Sequence, residues 1–402
     1  MSLRERLAAR AGGPIAVAPP GEPAPAMPPW GRCIVQRIPG DAAARTGAVA
    51  RVFADVALPS AAEALAGLEA LVDRDRRALA TAPPIVFDLE TTGWLEAIPW
   101  IVGIGVIDDD AVEVHQLVLD HPSRERAMWS EALAILRRLG LGRAPIVTYN
   151  GASFDRPIVA MRLRRLGLWS DALARAFGPL HVDLLPVARR LWRHRWHDRR
   201  LVHLESALLH ARRVGDVAGA DVAAIGRRWL EGARSPMDVA ASDRVVVHNA
   251  LDLVGLAALF GRAVATCRAP GDAAQAVAVA HHLQRIGRDD AARHVLAEIV
   301  GGDPLATPAI EAALALAEIE RAAGRIELAC VLWSRVCAAV PDHARAIEAL
   351  AKAYEHRLRA PDVALAWAER APSPCPRRLA RLRQKLARVT RRATRGVGAA
   401  VV

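Results

Sequence analysis

Asp88 and Glu90 close the apolar run Ile85-Val86-Phe87-Asp88-Leu89-Glu90, just before Thr91-Thr92-Gly93. On an extended strand, side chains two positions apart share a face, so both carboxylates are presented to one point. Two such charges removed from water need a shared proton, a basic partner or a bound cation, and hard oxygen ligands suit Mg²⁺ or Mn²⁺. Taken alone, such a pair more often simply ends a strand and enters a turn.

Two further segments carry chemistry. Thr148-Tyr149-Asn150-Gly151-Ala152-Ser153-Phe154-Asp155-Arg156-Pro157 reads as a strand end leading into a helix. Asp155 is either the N-cap of that helix or a third carboxylate facing the first two, because neighbouring strands bring their ends together. His248-Asn249-Ala250-Leu251-Asp252 reads as helix, and its His248 and Asp252 lie one turn apart on a shared face. His181 and Asp183 end another short apolar run, with matching side-chain direction, and are candidates to support the site from behind.

The elements that must position these residues follow from periodicity. From Pro84 an apolar run ending in acids, then 101–107 with two interior glycines, then alternating Val112, Val114 and 117–119 predict three strands in an antiparallel meander. A helix over 124–139, a buried strand over 145–149, a helix from about Asp155 and a strand over 181–184 come next. The chain then reads as helical through Leu259, with a loop at 214–220 and a break at Ser235-Pro236. Residues 82–265 are thus expected to form an α/β domain with a mixed sheet. An N-terminal extension, 30–81, holds a short apolar stretch around Ile34 and a helical pattern over 61–79, and 1–29 is an Ala/Pro-rich segment expected to be disordered.

Beyond Gly271 the pattern is all-helical over 272–372, followed by a basic tail at 373–402. Helix turns fall near Gly287, Gly324 and Ala360, spaced 37 and 36 residues apart, close to a tetratricopeptide period. Three such helix pairs can bury a shared core, as can an ordinary helical bundle.

Composition bounds the function. The chain of 402 residues exceeds the usual span of one domain, and its 52% hydrophobic content supports folded units rich in small side chains. No stretch was expected to reach the length of an uncharged membrane span, and no secretory signal pattern is evident. Five cysteines without CxxC pairs argue against a structural zinc and for reduced cytoplasmic thiols. The net charge of +11 concentrates in two places. Residues 376–395 hold nine basic side chains and no acid, and Arg189, Arg190, Arg193, Arg195, Arg199 and Arg200 are interleaved with Trp192 and Trp196. Arginine pairs with phosphate and indoles stack on unpaired bases, which points to nucleic acid. Arginine outnumbers lysine 52 to 2, however, so part of this is compositional bias.

Asp88, Glu90, Asp155 and Asp252, in that order and setting, resemble the four acids of DEDD exonucleases, the DnaQ-like branch of the RNase H-like fold. Residues 87–93 are similar to that family's first motif, and 149–157 to its second as family B polymerase proofreading domains carry it. The segments 181–184, 201–209, 213–220 and 248–252 together resemble the YprB-like bacterial proteins, which join an RNase H-like domain to tetratricopeptide-like helices. The resemblance covers about residues 30–370. It implies a three-layer RNase H-like α/β domain followed by an all-α tetratricopeptide-like domain, and a cytoplasmic 3′–5′ exonuclease acting on DNA or RNA ends.

The same resemblance implies two Mg²⁺ or Mn²⁺ ions, with Asp88 bridging both, Glu90 and Asp252 completing one site, and Asp155 holding the other largely through water. In the family's common subclasses a histidine precedes the last aspartate by five positions or a tyrosine by four. Here His248 occupies the tyrosine position, where it is expected to orient or deprotonate water. Asn150 and Phe154 are expected to shape the second-motif turn, Thr91 and Thr92 to contact the terminal phosphate, and Trp94 or Leu95 to pack on the last base. Partners implied are single-stranded nucleic-acid ends and a protein held by the helical repeat. Two other readings remain: a non-catalytic nucleic-acid-binding or adaptor protein that keeps the fold, and a scaffold whose helical repeat is the main actor.

Overall fold

The computed structural model describes residues 28–93, 97–301, 305 and 307–398, with side chains to residue 391. The expected disordered segment falls almost wholly outside these residues, as do Trp94 and Leu95. The chain divides into two compact units, 1–265 and 266–402.

The first unit is built on a six-stranded mixed sheet: β1 Gly31–Pro39, β2 Ile85–Thr91, β3 Pro99–Ile107, β4 Ala111–Leu119, β5 Ile146–Thr148 and β6 His181–Asp183. Their order across the sheet is β1-β4-β3-β2-β5-β6. The expected meander is β2-β3-β4, antiparallel throughout, while β5 and β6 join parallel on the other side of β2. A central strand must be covered on both faces, and β2 is apolar accordingly. Ile85, Phe87 and Leu89 are buried among side chains of β3, β4 and the helix Glu125–Arg138 (α4), whose Met128, Trp129, Ala132, Leu133 and Leu136 form one apolar stripe. Phe87 meets Phe177 edge to face at 5.3 Å.

Ten α-helices among the described residues complete this unit. Three short ones, α1 Gly47–Val52, α2 Ala61–Gly67 and α3 Arg74–Leu79, precede β2; after α4 come α5 Asp155–Arg165, α6 Asp171–Ala176, α7 Leu184–Trp192, α8 Leu201–Leu209, α9 Gly219–Leu230 and the long α10 Pro236–Arg268. Two expectations change here. The stretch around Ile34 is a full edge strand, paired antiparallel with β4 from Gly31↔Leu119 to Pro39↔Ala111. The single helix read over 61–79 is broken, because Asp73 accepts the Arg76 amide at 2.8 Å and starts α3 as a separate helix.

A third expectation concerns membrane spans. Helix α10 is long and apolar enough to cross a membrane by length and composition, although charges such as Asp252 and Arg262 interrupt it, and 78% of its most apolar window is buried within the protein. Glycine makes its approach to the sheet feasible. A Cβ at Gly103 in β3 would sit 2.4 Å from Asn249 Oδ1, so only the bare backbone lets α10 lie this close.

The second unit is all-helical: α11 Ala273–Arg285, α12 Asp289–Val300, α13 Ile310–Ala322, α14 Ile326–Ala339, α15 Ala344–His356, α16 Pro361–Glu369 and α17 Pro376–Gly398. Gly287 and Gly324 take positive φ in the turns after α11 and α13, and Ala360 precedes α16. The basic tail is largely α17. Its Arg381 and Lys385 each reach the buried Glu355 at 2.8 Å, and Arg383 pairs with Glu369 at 2.8 Å, so these charges are matched by acids of α15 and α16.

Candidate metal centre

Asp88 and Glu90 leave β2 on one face, opposite β3 residues Gly103 and Ile101. Asp88 Oδ2 accepts from Asn249 Nδ2 at 2.8 Å, and Asn249 Oδ1 in turn accepts from Gln116 at 2.9 Å. Gln116 also donates to the Val246 carbonyl at 2.7 Å, so a fully buried amide pair from β4 and α10 fixes how Asp88 is held.

Asp155 is the first residue of α5, whose N-cap is Phe154 with no side-chain cap bond. The aspartate is therefore not spent as a cap. Its carboxylate is met by the backbone amides of Leu89 in β2 and of Asp155 itself, and it feels the charge of Asp88. Its Oδ1 is buried and has no hydrogen-bond partner. A buried carboxylate oxygen left bare is costly, and a bound cation is the usual resolution.

His248 and Asp252 project from α10. His248 Nδ1 donates to Asp216 Oδ1 at 2.7 Å, and its Nε2 lies 3.4 Å from Asp252 Oδ2 and 3.9 Å from Glu90 Oε1. Donor atoms of Glu90, His248 and Asp252 all fall within 4.8 Å of one another. Asp252 Oδ1 is held at 2.6 Å by Arg213, whose side chain is 1% exposed. That guanidinium also grips Glu205 through two bonds, at 2.8 and 2.6 Å, and reaches Asp216 at 3.2 Å.

The electrostatics agree with the geometry. Desolvation pushes the Asp88 carboxyl up to about 7, reinforced by Asp252 and opposed by His248, Asn249 and Arg213. Glu90 and Asp155 stand well above the usual carboxylate range, through desolvation first and then the charge of Asp88. Burial works against charge on His248, yet the hydrogen bond to Asp216 and the charges of Asp252 and Glu90 carry the imidazole up to about 10. Asp216 is drawn down to about 2, burial opposing and His248 prevailing. Glu205 rises to about 7 by desolvation, although Arg213 pulls the other way. Three buried acids raised by desolvation and by one another's charge, which His248 and Arg213 only partly match, make a candidate site for a cation.

The remaining expected residues have these places. Thr91 Oγ1 bonds within its own turn to Gly93, and Thr92 Oγ1 accepts the Ile98 amide at 3.1 Å. Asn150 takes φ 64° at the exposed second-motif turn, and its amide and that of Ala152 donate to Asp183 at 2.8 and 3.0 Å. Phe154 packs half-buried against the core. His181 bonds Thr148 at 2.8 Å and is held down to about 4 by desolvation, so His181 and Asp183 brace the turn from behind. Tyr149 donates to the Arg199 carbonyl, tying the arginine-rich segment beside the second motif. Trp192 in that segment is 1% exposed and packs in the core, which removes it from stacking on bases.

Sequence reading missed Arg213, Glu205, Asp216, Asn249 and Gln116 as functional residues. Asn249 had a local signal, being a polar side chain beside His248 on an otherwise apolar helix, and Glu205, Arg213 and Asp216 lie in segments marked only by the family resemblance. Arg213 and Asp216 lie between α8 and α9, and nothing in their spacing shows that this connection reaches α10.

Residues 85–264 match the RNase H superfamily model. Over 298 residues, 71% of this chain and 68% of the other, the sequence is 28% identical to the "Uncharacterized protein YprB" of Bacillus subtilis (strain 168). The strand order, the position of the acids at the end of the central strand and this match agree: residues 85–264 form an RNase H-like domain.

Proposed function

We propose that this domain is a metal-dependent 3′–5′ exonuclease that acts on single-stranded DNA or RNA ends. The observation that carries the reading is the bare, buried Oδ1 of Asp155 within a cluster of acids that raise one another's proton affinity. Asp88, Glu90, Asp155 and Asp252 would hold two Mg²⁺ or Mn²⁺ ions. Bound there, the ions supply activation of water and neutralisation of charge on the scissile phosphate and the departing 3′ oxygen.

The chain's own residues do the positioning. Asn249 fixes one oxygen of Asp88, Arg213 fixes one oxygen of Asp252, and Asp183 sets the Asn150-Gly151-Ala152 turn that brings Asp155 forward. Backbone around Thr91 and Thr92 and the turn at Asn150 and Phe154 flank the acids, where a terminal nucleotide would lie. The exposed arginines near Arg199, tethered through Tyr149, extend a positive surface for the following phosphates. The helical unit fits a tetratricopeptide-like array whose role is to hold a protein partner.

One observation favours a second reading, a non-catalytic nucleic-acid-binding protein: both oxygens of Asp252 already face cationic side chains, Arg213 and His248. Digestion of 5′-labelled oligonucleotides, DNA and RNA in parallel, with Mg²⁺ or Mn²⁺ separates the two. Products shortened stepwise from the 3′ end are expected. Turnover no greater than that of Asp88→Ala on either polymer, with oligonucleotide binding intact, would establish the second reading instead.

A further inference from the structure

The imidazole of His248 is oriented from its far nitrogen. Its Nδ1 is committed to a carboxylate, Asp216 Oδ1 at 2.7 Å, and that carboxylate is anchored from behind by Arg213. A carboxylate on the far ring nitrogen is the arrangement that fixes the tautomer and orientation of metal-bound histidines. The near nitrogen, Nε2, faces Glu90 Oε1 and Asp252 Oδ2, and these three donor atoms lie within 4.8 Å of one another. Asp252 can offer Oδ2 because Arg213 takes Oδ1. The Oδ1 of Asp155, on a side chain more than nine-tenths buried whose carboxylate is met by the Leu89 amide of β2, is a further buried oxygen without a hydrogen-bond partner.

We propose that His248 Nε2, with Glu90 and Asp252, binds one of the cations directly, so that this position is a mixed nitrogen and oxygen site that prefers a first-row transition ion such as Mn²⁺ over Mg²⁺. This rests on the metal reading above and replaces the expectation that His248 acts as a free base. Imidazole ligands favour transition ions, whereas Mg²⁺ favours oxygen and water, so one histidine shifts the selectivity of an otherwise acidic centre. Asp216 is then a positioning residue: it touches no ion but holds the ring that does.

Pulsed electron paramagnetic resonance of Mn²⁺ bound to the full chain tests this without an activity assay. Nitrogen coupling to the bound Mn²⁺ is expected, altered when the protein is grown with ¹⁵N-histidine and lost in His248→Gln. Asp216→Asn, which keeps His248, is expected to weaken Mn²⁺ binding by about 10–100-fold and Mg²⁺ binding much less. Bound Mn²⁺ whose spectrum is indifferent to ¹⁵N-histidine, or a coupling that survives His248→Gln, overturns the assignment and leaves the metal centre standing. No bound Mn²⁺ at all overturns both. The labelled wild-type protein gives its answer even if His248→Gln fails to fold.

Discussion

At the scale of single residues, the acids cost the protein stability when no cation is bound. The folded-state value of about 7 for Asp88 lies above its ordinary 3.8, so folding favours the protonated form. The penalty is absent below about pH 4, grows as the carboxyl ionises and is complete above about pH 7. In chelator, Asp88→Asn should therefore melt above wild type at pH 8, by about 2–4 °C for each kcal/mol relieved, and the difference should vanish toward pH 4. Saturating Mn²⁺ should reverse the order, because only wild type gains binding energy. Arg213 makes the opposite case. Its removal leaves Glu205, fully buried, without its partner, so Arg213→Ala should cost about 3–5 kcal/mol in urea unfolding, and Arg213→Met with Glu205→Leu much less. Asp88, Glu90, His248 and Asp252 were legible because their pairing is local, following the two-residue period of a strand and the four-residue turn of a helix. Arg213 and Asp216 were not, since a connection between helices acquires its neighbours only when the chain has folded.

Among the elements, the contact that matters most is α10 against β3 and β4. Gly103 admits Asn249, and through it the hydrogen bonds from Gln116 and to Asp88. Gly103→Ala places a methyl 2.4 Å from Asn249 Oδ1 and should cost about 1–3 kcal/mol while lowering metal affinity, as urea melts and Mn²⁺ titration would show. The sheet was readable wherever burial is continuous, as in β2 and β3. The edge strand β1 was not, because its exposed positions Cys33, Val35 and Arg37 alternate with half-buried ones, a weak signal that only pairing with β4 completes. The break before α3 was missed for a related reason: apolar spacing runs on through 61–79, and a single capping aspartate overrides it.

For the whole molecule, the division at 265/266 separates the acids from the all-helical unit. A chain ending at residue 271 retains α10 entire and should cleave short oligonucleotides as the full chain does, while losing capture of any protein partner of the helical unit. Loss of cleavage on short substrates would mean that the helical unit takes part in the chemistry. In the C-terminal tail Arg381, Lys385 and Arg383 are matched by Glu355 and Glu369, contacts invisible in composition. Asp88, Glu90, Asp155 and Asp252 are tested most directly as a cation centre by calorimetric titration of the full chain with Mn²⁺. Saturable binding that is lost in both Asp88→Asn and Asp252→Asn is the predicted result; no saturable binding, or binding that both variants retain, would contradict it.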